Sequence, residues 1–157
     1  MNIFTLVHVF ISLVGLATGL VVLGGWFAGL AFPGWTAIFL TTTLLTNITG
    51  FFFPFHGVTP GIVVGAISVV LLAIAIYALA IRRLAGAWRK TYVITALAAL
   101  YLNFFVLIAQ LFAHTPALKA LAPTQSEAPF ALTQGIVLAL FIVFGVGAVK
   151  GFGATRP

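Results

Sequence analysis

No Asp, Glu, Lys or Arg occurs in this chain before Arg82. A folded surface in contact with water needs roughly a quarter of its residues charged, so the first half of the chain cannot cover a water-soluble domain. Over all 157 residues only 5% are charged and 63% are apolar, and the mean hydropathy is +1.29. Lipid is the solvent that suits such a surface, and within lipid every backbone polar group must be satisfied inside the fold. Helices achieve this segment by segment. The fold class expected is all-α: a polytopic membrane helix bundle forming a single transmembrane domain over residues 1–157.

A helix needs about 20 predominantly apolar residues to cross the hydrocarbon core. Five stretches meet that length, at about 3–32, 35–55, 61–81, 91–113 and 130–149. The first has no basic n-region and is about twice as long as a signal-peptide apolar core, so it reads as a retained span. Connections after the first three stretches are short, which makes sequential helices antiparallel neighbours. Residues 114–129 leave room for a structured loop. No internal repeat or inverted-repeat signature is visible.

The basic residues set the orientation. Arg82, Arg83, Arg89 and Lys90 share one loop, and Lys150 and Arg156 lie near the chain's end, whereas Lys119 is alone on the other side. Cytoplasmic loops carry such an excess of Lys and Arg. The N-terminus is therefore expected outside and the C-terminus in the cytoplasm, in a multi-pass protein of the cell inner membrane. The formal charge of +6 is a topology signal of this kind, not a phosphate-tracking stripe. The lipid bilayer, and not nucleic acid, is the partner implied.

Residues 46–61, TNITGFFFPFHGVTPG, place an amide inside an apolar run and end on a histidine in a Gly/Pro turn. Thr43, Asn47, Gly50 and Pro54 recur at helical spacing. On the fourth span Asn103, Gln110 and His114 do the same, which at about 100° per residue puts them on one stripe. A lipid-facing amide is costly, so both stripes are expected to face the bundle, with Asn47 opposite Asn103. Interhelical hydrogen bonding alone, at about 0.6 kcal/mol per bond, is one role for these amides. Lining a polar pocket is another, with Asn47, Asn103 and Gln110 as its walls.

In the expected orientation His8, His56 and His114 all fall at the outer face, together with Glu127, the only acidic residue. Imidazoles and one carboxylate suit zinc, copper or non-haem iron, and two imidazoles suit haem. No HxxxH, HxH or HExxH spacing is present, so the fold would have to assemble the set. Haem fits less well than a metal ion, since Lys119 is the sole outer cation available to its propionates.

Small residues mark further faces: Gly15 with Gly19, Gly25 with Gly29, and Gly145, Gly147 and Gly151. They allow close backbone approach within the chain, in a homo-oligomer, or against a larger membrane complex. Cysteine is absent, which excludes disulfides and thiol catalysis. There is no phosphate-binding glycine loop and no GxSxG, and a single carboxylate cannot supply a paired-carboxylate site. The chemistry points away from an enzyme.

TNITGFFFPFHG, WRKTYV, YLNFFVLIAQ and LAPTQSEAPF resemble segments of small, uncharacterised bacterial inner-membrane proteins. That resemblance implies a multi-pass helical fold from the second span onward, and brings no activity with it. The function expected is a non-enzymatic integral membrane protein with an outward-facing, histidine-containing polar pocket for a small ligand or metal ion. The alternatives are an accessory or assembly subunit of a larger complex, and an oligomeric channel or proton path along Asn47 and Asn103.

Overall fold

The computed structural model describes every residue except 1, 55, 56, 58 and 155–157. The described chain is helical with short connections: α1 (Ile3–Phe27), α2 (Pro33–Gly50), α3 (Pro60–Ile76), α4 (Trp88–His114), α5 (Pro116–Leu121) and α6 (Ala128–Ala154). A wide π-helical turn, Tyr77–Ile81, extends α3.

Local chemistry starts and stops these helices. The Asn2 side chain caps α1 by accepting from the Thr5 backbone N–H at 2.8 Å. Pro33, Pro60 and Pro116 occupy the first turns of α2, α3 and α5, where a missing N–H costs nothing. Gly29 ends α1 at φ 71°, a left-handed conformation that glycine adopts without a Cβ clash. The span expected to continue to residue 32 therefore ends as a helix at Phe27, although the sequence stays apolar. Phe32 folds back instead, so that a Cβ on Gly25 would lie 2.7 Å from the Phe32 ring. Likewise α2 ends at Gly50, before the three phenylalanines expected to extend it to residue 55. The 114–129 loop contains α5.

Four of the described helical segments are long and apolar enough to cross a membrane: α1, α3 with its π turn, α4 and α6. The remaining long helix, α2, is 18 residues long and carries Thr36, Thr41, Thr42, Thr43, Thr46, Thr49 and Asn47. Its apolarity falls short of the others, so composition distinguishes four such helices rather than five.

Contacts set the register. His8 meets Thr49, Gly15 meets Thr42 and Thr43, Gly19 meets Phe39 and Leu100, and Trp26 meets Tyr92. Both α2 and α4 thus run antiparallel to α1, and α2 follows α1 from one end to the other. Helix α6 returns antiparallel to α4, with Phe130 against Phe112 and Gly145 against Leu97. The core lies where α1, α2, α3, α4 and α6 converge, on the buried Trp26, Phe39, Leu72, Tyr92 and Leu100. A smaller cluster, Ile108, Phe112 and Ala122, seats the 122–127 loop on α4.

The glycine faces are consumed inside the chain. A Cβ on Gly151 would meet the Trp26 carbonyl oxygen at 2.5 Å and the Phe27 carbonyl oxygen at 2.7 Å, and one on Gly147 would strike the Phe27 ring. These faces bring α6 onto α1, and Gly15 and Gly19 bring α1 onto α2.

Candidate functional site

Two ends of the bundle differ in charge. Arg82, Arg83, Arg89, Lys90 and Lys150 share the end that holds Trp26, the α3–α4 connection and the C-terminal turns of α6. Lys119 and Glu127 lie at the other, with His8 and His114. At the cationic end Arg82 stacks over Trp88 at 5.3 Å, and Tyr77 packs edge-on against the same ring at 5.2 Å. Arg83 and Leu84 have positive φ there, 47° and 58°, and the Leu84 N–H closes the turn on the Ala78 carbonyl at 3.0 Å.

Midway between the ends a polar seam runs through the core. Most hydroxyls on the long helices donate to a carbonyl one turn back: Ser12 to His8, Thr18 to Val14, Thr42 to Ile38, Thr46 to Thr42, Thr49 to Leu45 and Thr95 to Thr91, all within 2.8 Å. That bond hides the hydroxyl against its own helix. Thr43 and Ser68 depart from this pattern. Both are fully buried, and neither hydroxyl has a hydrogen-bond partner among the described residues. The buried amide nitrogen of Asn103 is also without one.

Register brings the three to one height. Asn103 stands one turn beyond Leu100, which is level with Gly19, so antiparallel packing sets it level with Gly15 and therefore with Thr43. On α3 a Cβ at Gly65 would lie 3.8 Å from Asn47 Oδ1. Ser68, one turn along, is accordingly level with Thr43, one turn back from Asn47 on antiparallel α2.

Helical phase correctly turns Asn47 inward, where it is buried. The expected pairing of Asn47 with Asn103 does not form, however. Asn47 Nδ2 donates to the Thr43 carbonyl of its own helix at 2.8 Å, and Asn103 Nδ2 is left over. Gln110 and His114, further along the Asn103 stripe, are exposed at the bundle surface. Two glutamines that spacing did not single out clamp α4 instead. Gln134 Nε2 donates to the Phe105 carbonyl at 3.0 Å, with its own Oε1 unpaired, and Gln125 Nε2 donates to Ala109 at 2.7 Å. Gln134 and Ser68 were discoverable only as isolated polar residues in apolar runs.

His8 and Glu127 are each engaged by neighbours, and His114 is exposed at the end of α4. His8 Nδ1 lies 2.8 Å from Thr49 Oγ1, and its ring meets Phe53 edge-on at 5.0 Å. Glu127 Oε1 accepts from the Thr124 hydroxyl at 2.8 Å and the Thr124 N–H at 3.2 Å, while Oε2 accepts from the Ser126 N–H at 3.1 Å. The Thr124 hydroxyl, with these backbone donors, holds the Glu127 carboxyl below its ordinary pKa. Three of its lone-pair sites are thereby occupied by local donors. His56 lies outside the described residues. Among the described residues no three His or acidic side chains come together as a metal-holding group.

Two cavities between the described helices bear on what the bundle could hold. One of about 300 Å³ sits at the cationic end among Trp26, Pro33, Thr36, Leu79, Tyr92 and Phe152. The other, of about 580 Å³, lies between α4 and α6. No family, curated protein or solved structure matches the chain. The arrangement defines a helical bundle compatible with a membrane, with unpaired polar atoms at its centre.

Proposed function

We propose that the chain is a non-enzymatic inner-membrane protein whose polar seam binds a small polar ligand, entering from the end that carries His8 and His114. One observation carries this: Thr43, Ser68 and Asn103 hold unpaired, buried polar atoms at a common height in the core. Buried polar groups are almost always hydrogen-bonded, and an orphan costs about 1–3 kcal/mol. Three orphans at one height suit an occupant that offers both donors and acceptors, water included. Asn47 closes one side of the seam, and Gln110 and His114 mark a path along α4 toward the surface. In kind, the protein is of the small bacterial inner-membrane type that its TNITGFFFPFHG stretch resembles.

The reading includes five crossings, N-terminus outside. Support for α2 as the fifth is that it accompanies α1 end to end and folds Thr42, Thr46 and Thr49 hydroxyls onto its own backbone. At about 1.5 Å per residue it is about 27 Å long, close to the hydrocarbon thickness. Because the chain has no cysteine, Ala85→Cys and Ala120→Cys offer unique thiols. An impermeant maleimide should label the second in intact cells and the first only after lysis.

Thermal unfolding of the detergent-purified protein against glycerol, ammonium, acetate and zinc tests the ligand. Saturation at 100 Kd adds about 2.7 kcal/mol, a rise of roughly 5–10 °C for a chain this size. The rise should vanish in Asn103→Leu. A wild-type midpoint indifferent to all four probes counts against the reading, and a zinc response lost on His8→Ala or His114→Ala would restore the metal form. A second reading, an accessory subunit, draws on Gly24, Gly135 and Gly153, which have open space where a Cβ would go. Stoichiometric co-purification with a larger complex would favour it.

A further inference from the structure

The larger cavity is a lateral groove whose two walls are α4 and α6. Ile94 and Tyr101 line one wall, and Leu138, Phe141 and Val146 the other. Gly145 lets the two walls close on each other at the floor, since even a methyl group there would come 2.9 Å from Leu97 Cδ2. Lys90 and Lys150, one from each wall, stand at a single end of the groove, and both are exposed. Neither has an acidic side chain to pair with among the described residues, because the only one, Glu127, precedes the opposite end of α6.

Dimensions narrow the occupant. From Lys90 to Tyr101 α4 rises about 16 Å, and from Leu138 to Lys150 α6 rises about 18 Å. One leaflet contributes about 15 Å of hydrocarbon. The groove is therefore one leaflet deep, apolar over its length and cationic at headgroup level. A partner helix would match the apolar walls but would leave the lysine pair without counter-charge.

We propose that this groove binds an anionic phospholipid, with an acyl chain laid between α4 and α6 and the phosphate held between Lys90 and Lys150. The inference requires α4 and α6 to cross the bilayer and is independent of the polar-seam ligand. Anionic lipid is enriched in the cytoplasmic leaflet, and basic pockets between helices on that side are suited to its headgroups.

Native mass spectrometry of the detergent-purified protein, titrated with phosphatidylglycerol or with phosphatidylcholine of the same acyl chains, tests the site. Phosphatidylglycerol should bind more tightly. The Lys90→Gln/Lys150→Gln variant should weaken it about 30-fold, from two interfacial charges, and leave phosphatidylcholine unchanged. Lys90→Arg/Lys150→Arg and Lys119→Gln should retain wild-type binding. Gly145→Leu, which fills the floor, should weaken both lipids; should it fail to fold, the exposed lysine pair decides alone. Equal affinity for the two lipids, an equal loss in Lys119→Gln, or a protein recovered in the groove in place of lipid would overturn the proposal.

Discussion

Gly151→Ala and Gly153→Ala make the same chemical change two residues apart on α6, and the structure assigns them different outcomes. At Gly151 a methyl group would lie 2.5 Å from the Trp26 carbonyl oxygen, 2.7 Å from that of Phe27 and 3.0 Å from Phe27 Cα. Ordinary carbon–oxygen contacts are about 3.3–3.6 Å, so the helices must part by roughly 1 Å. All three obstacles are backbone, which cannot swing aside as a side-chain end can. Overpacking typically costs 1–3 kcal/mol, and a rigid neighbour places Gly151→Ala at about 2–3 kcal/mol. At Gly153 no described residue outside its own helical turns lies within 4 Å, so Ala meets no clash there and its helix propensity is the better of the two. Unfolding in mixed micelles with rising dodecyl sulfate can be followed by tryptophan fluorescence, because Trp26 packs on Tyr92 at 5.5 Å and Phe152 at 6.2 Å. Gly151→Ala should shift the unfolding equilibrium by about 30–150-fold toward the unfolded state. Gly153→Ala should match or exceed the wild type. Equal destabilisation by both, or none by Gly151→Ala, would refute the close α1–α6 approach.

Three further outcomes follow from the same contacts. Asn103→Leu removes an unpaired buried amide and should leave the ligand-free protein as stable as the wild type or up to about 2 kcal/mol more so; a loss above 1 kcal/mol in the same titration would reveal a partner for that amide. A double-mutant cycle on His8→Phe and Thr49→Val should return a coupling of about 0.5–1.5 kcal/mol for their 2.8 Å contact, and additive effects would remove the bond. The Glu127 carboxylate, with its pKa below the usual 4.5, orders the 124–127 loop fully above that value and releases it as pH falls through the lowered one. Amide shifts of Thr124 and Ser126 should titrate together with a midpoint below 4.5, and a midpoint at or above it would contradict the hydrogen bonds described.

Hydropathy located the long apolar helices because lipid contact demands continuous apolar runs. It misjudged their ends, because Gly29 and Gly50 stop helices inside stretches whose side chains remain apolar. It also treated the threonine-rich α2 as equal to its neighbours, although its sequence is measurably more polar. Helical phase turned Asn47 inward, yet spacing carries no information about a rotamer. Asn47 satisfied its amide one turn back, on Thr43, which no pattern distinguishes from a bond across to Asn103. The glycine faces were legible as places of close approach, while their partners, Thr43, Leu97 and the Trp26 backbone, depend on which helices neighbour one another. Glu127 illustrates the opposite limit. As the sole carboxylate it invited a metal, and the adjacent Thr124 and Ser126 engaged it locally.

The π-helical turn at Tyr77–Ile81 has a consequence for how this sequence tolerates changes in length. A π turn holds one residue more than the α-helical turn it replaces. Deleting a residue of the turn beyond the buried Ala78 would restore ordinary helix and leave Ser68, Leu72, Ala75 and Ala78, all buried, in their present phase. The same deletion at Val69 or Val70 would swing Leu72 and Ala75 by about 100° relative to Ser68, turning them from the core to the surface. Single-codon deletions scanned along α3 and its π turn should therefore accumulate at residues 79–81 among folded survivors, which makes the turn a reservoir of permissible length variation.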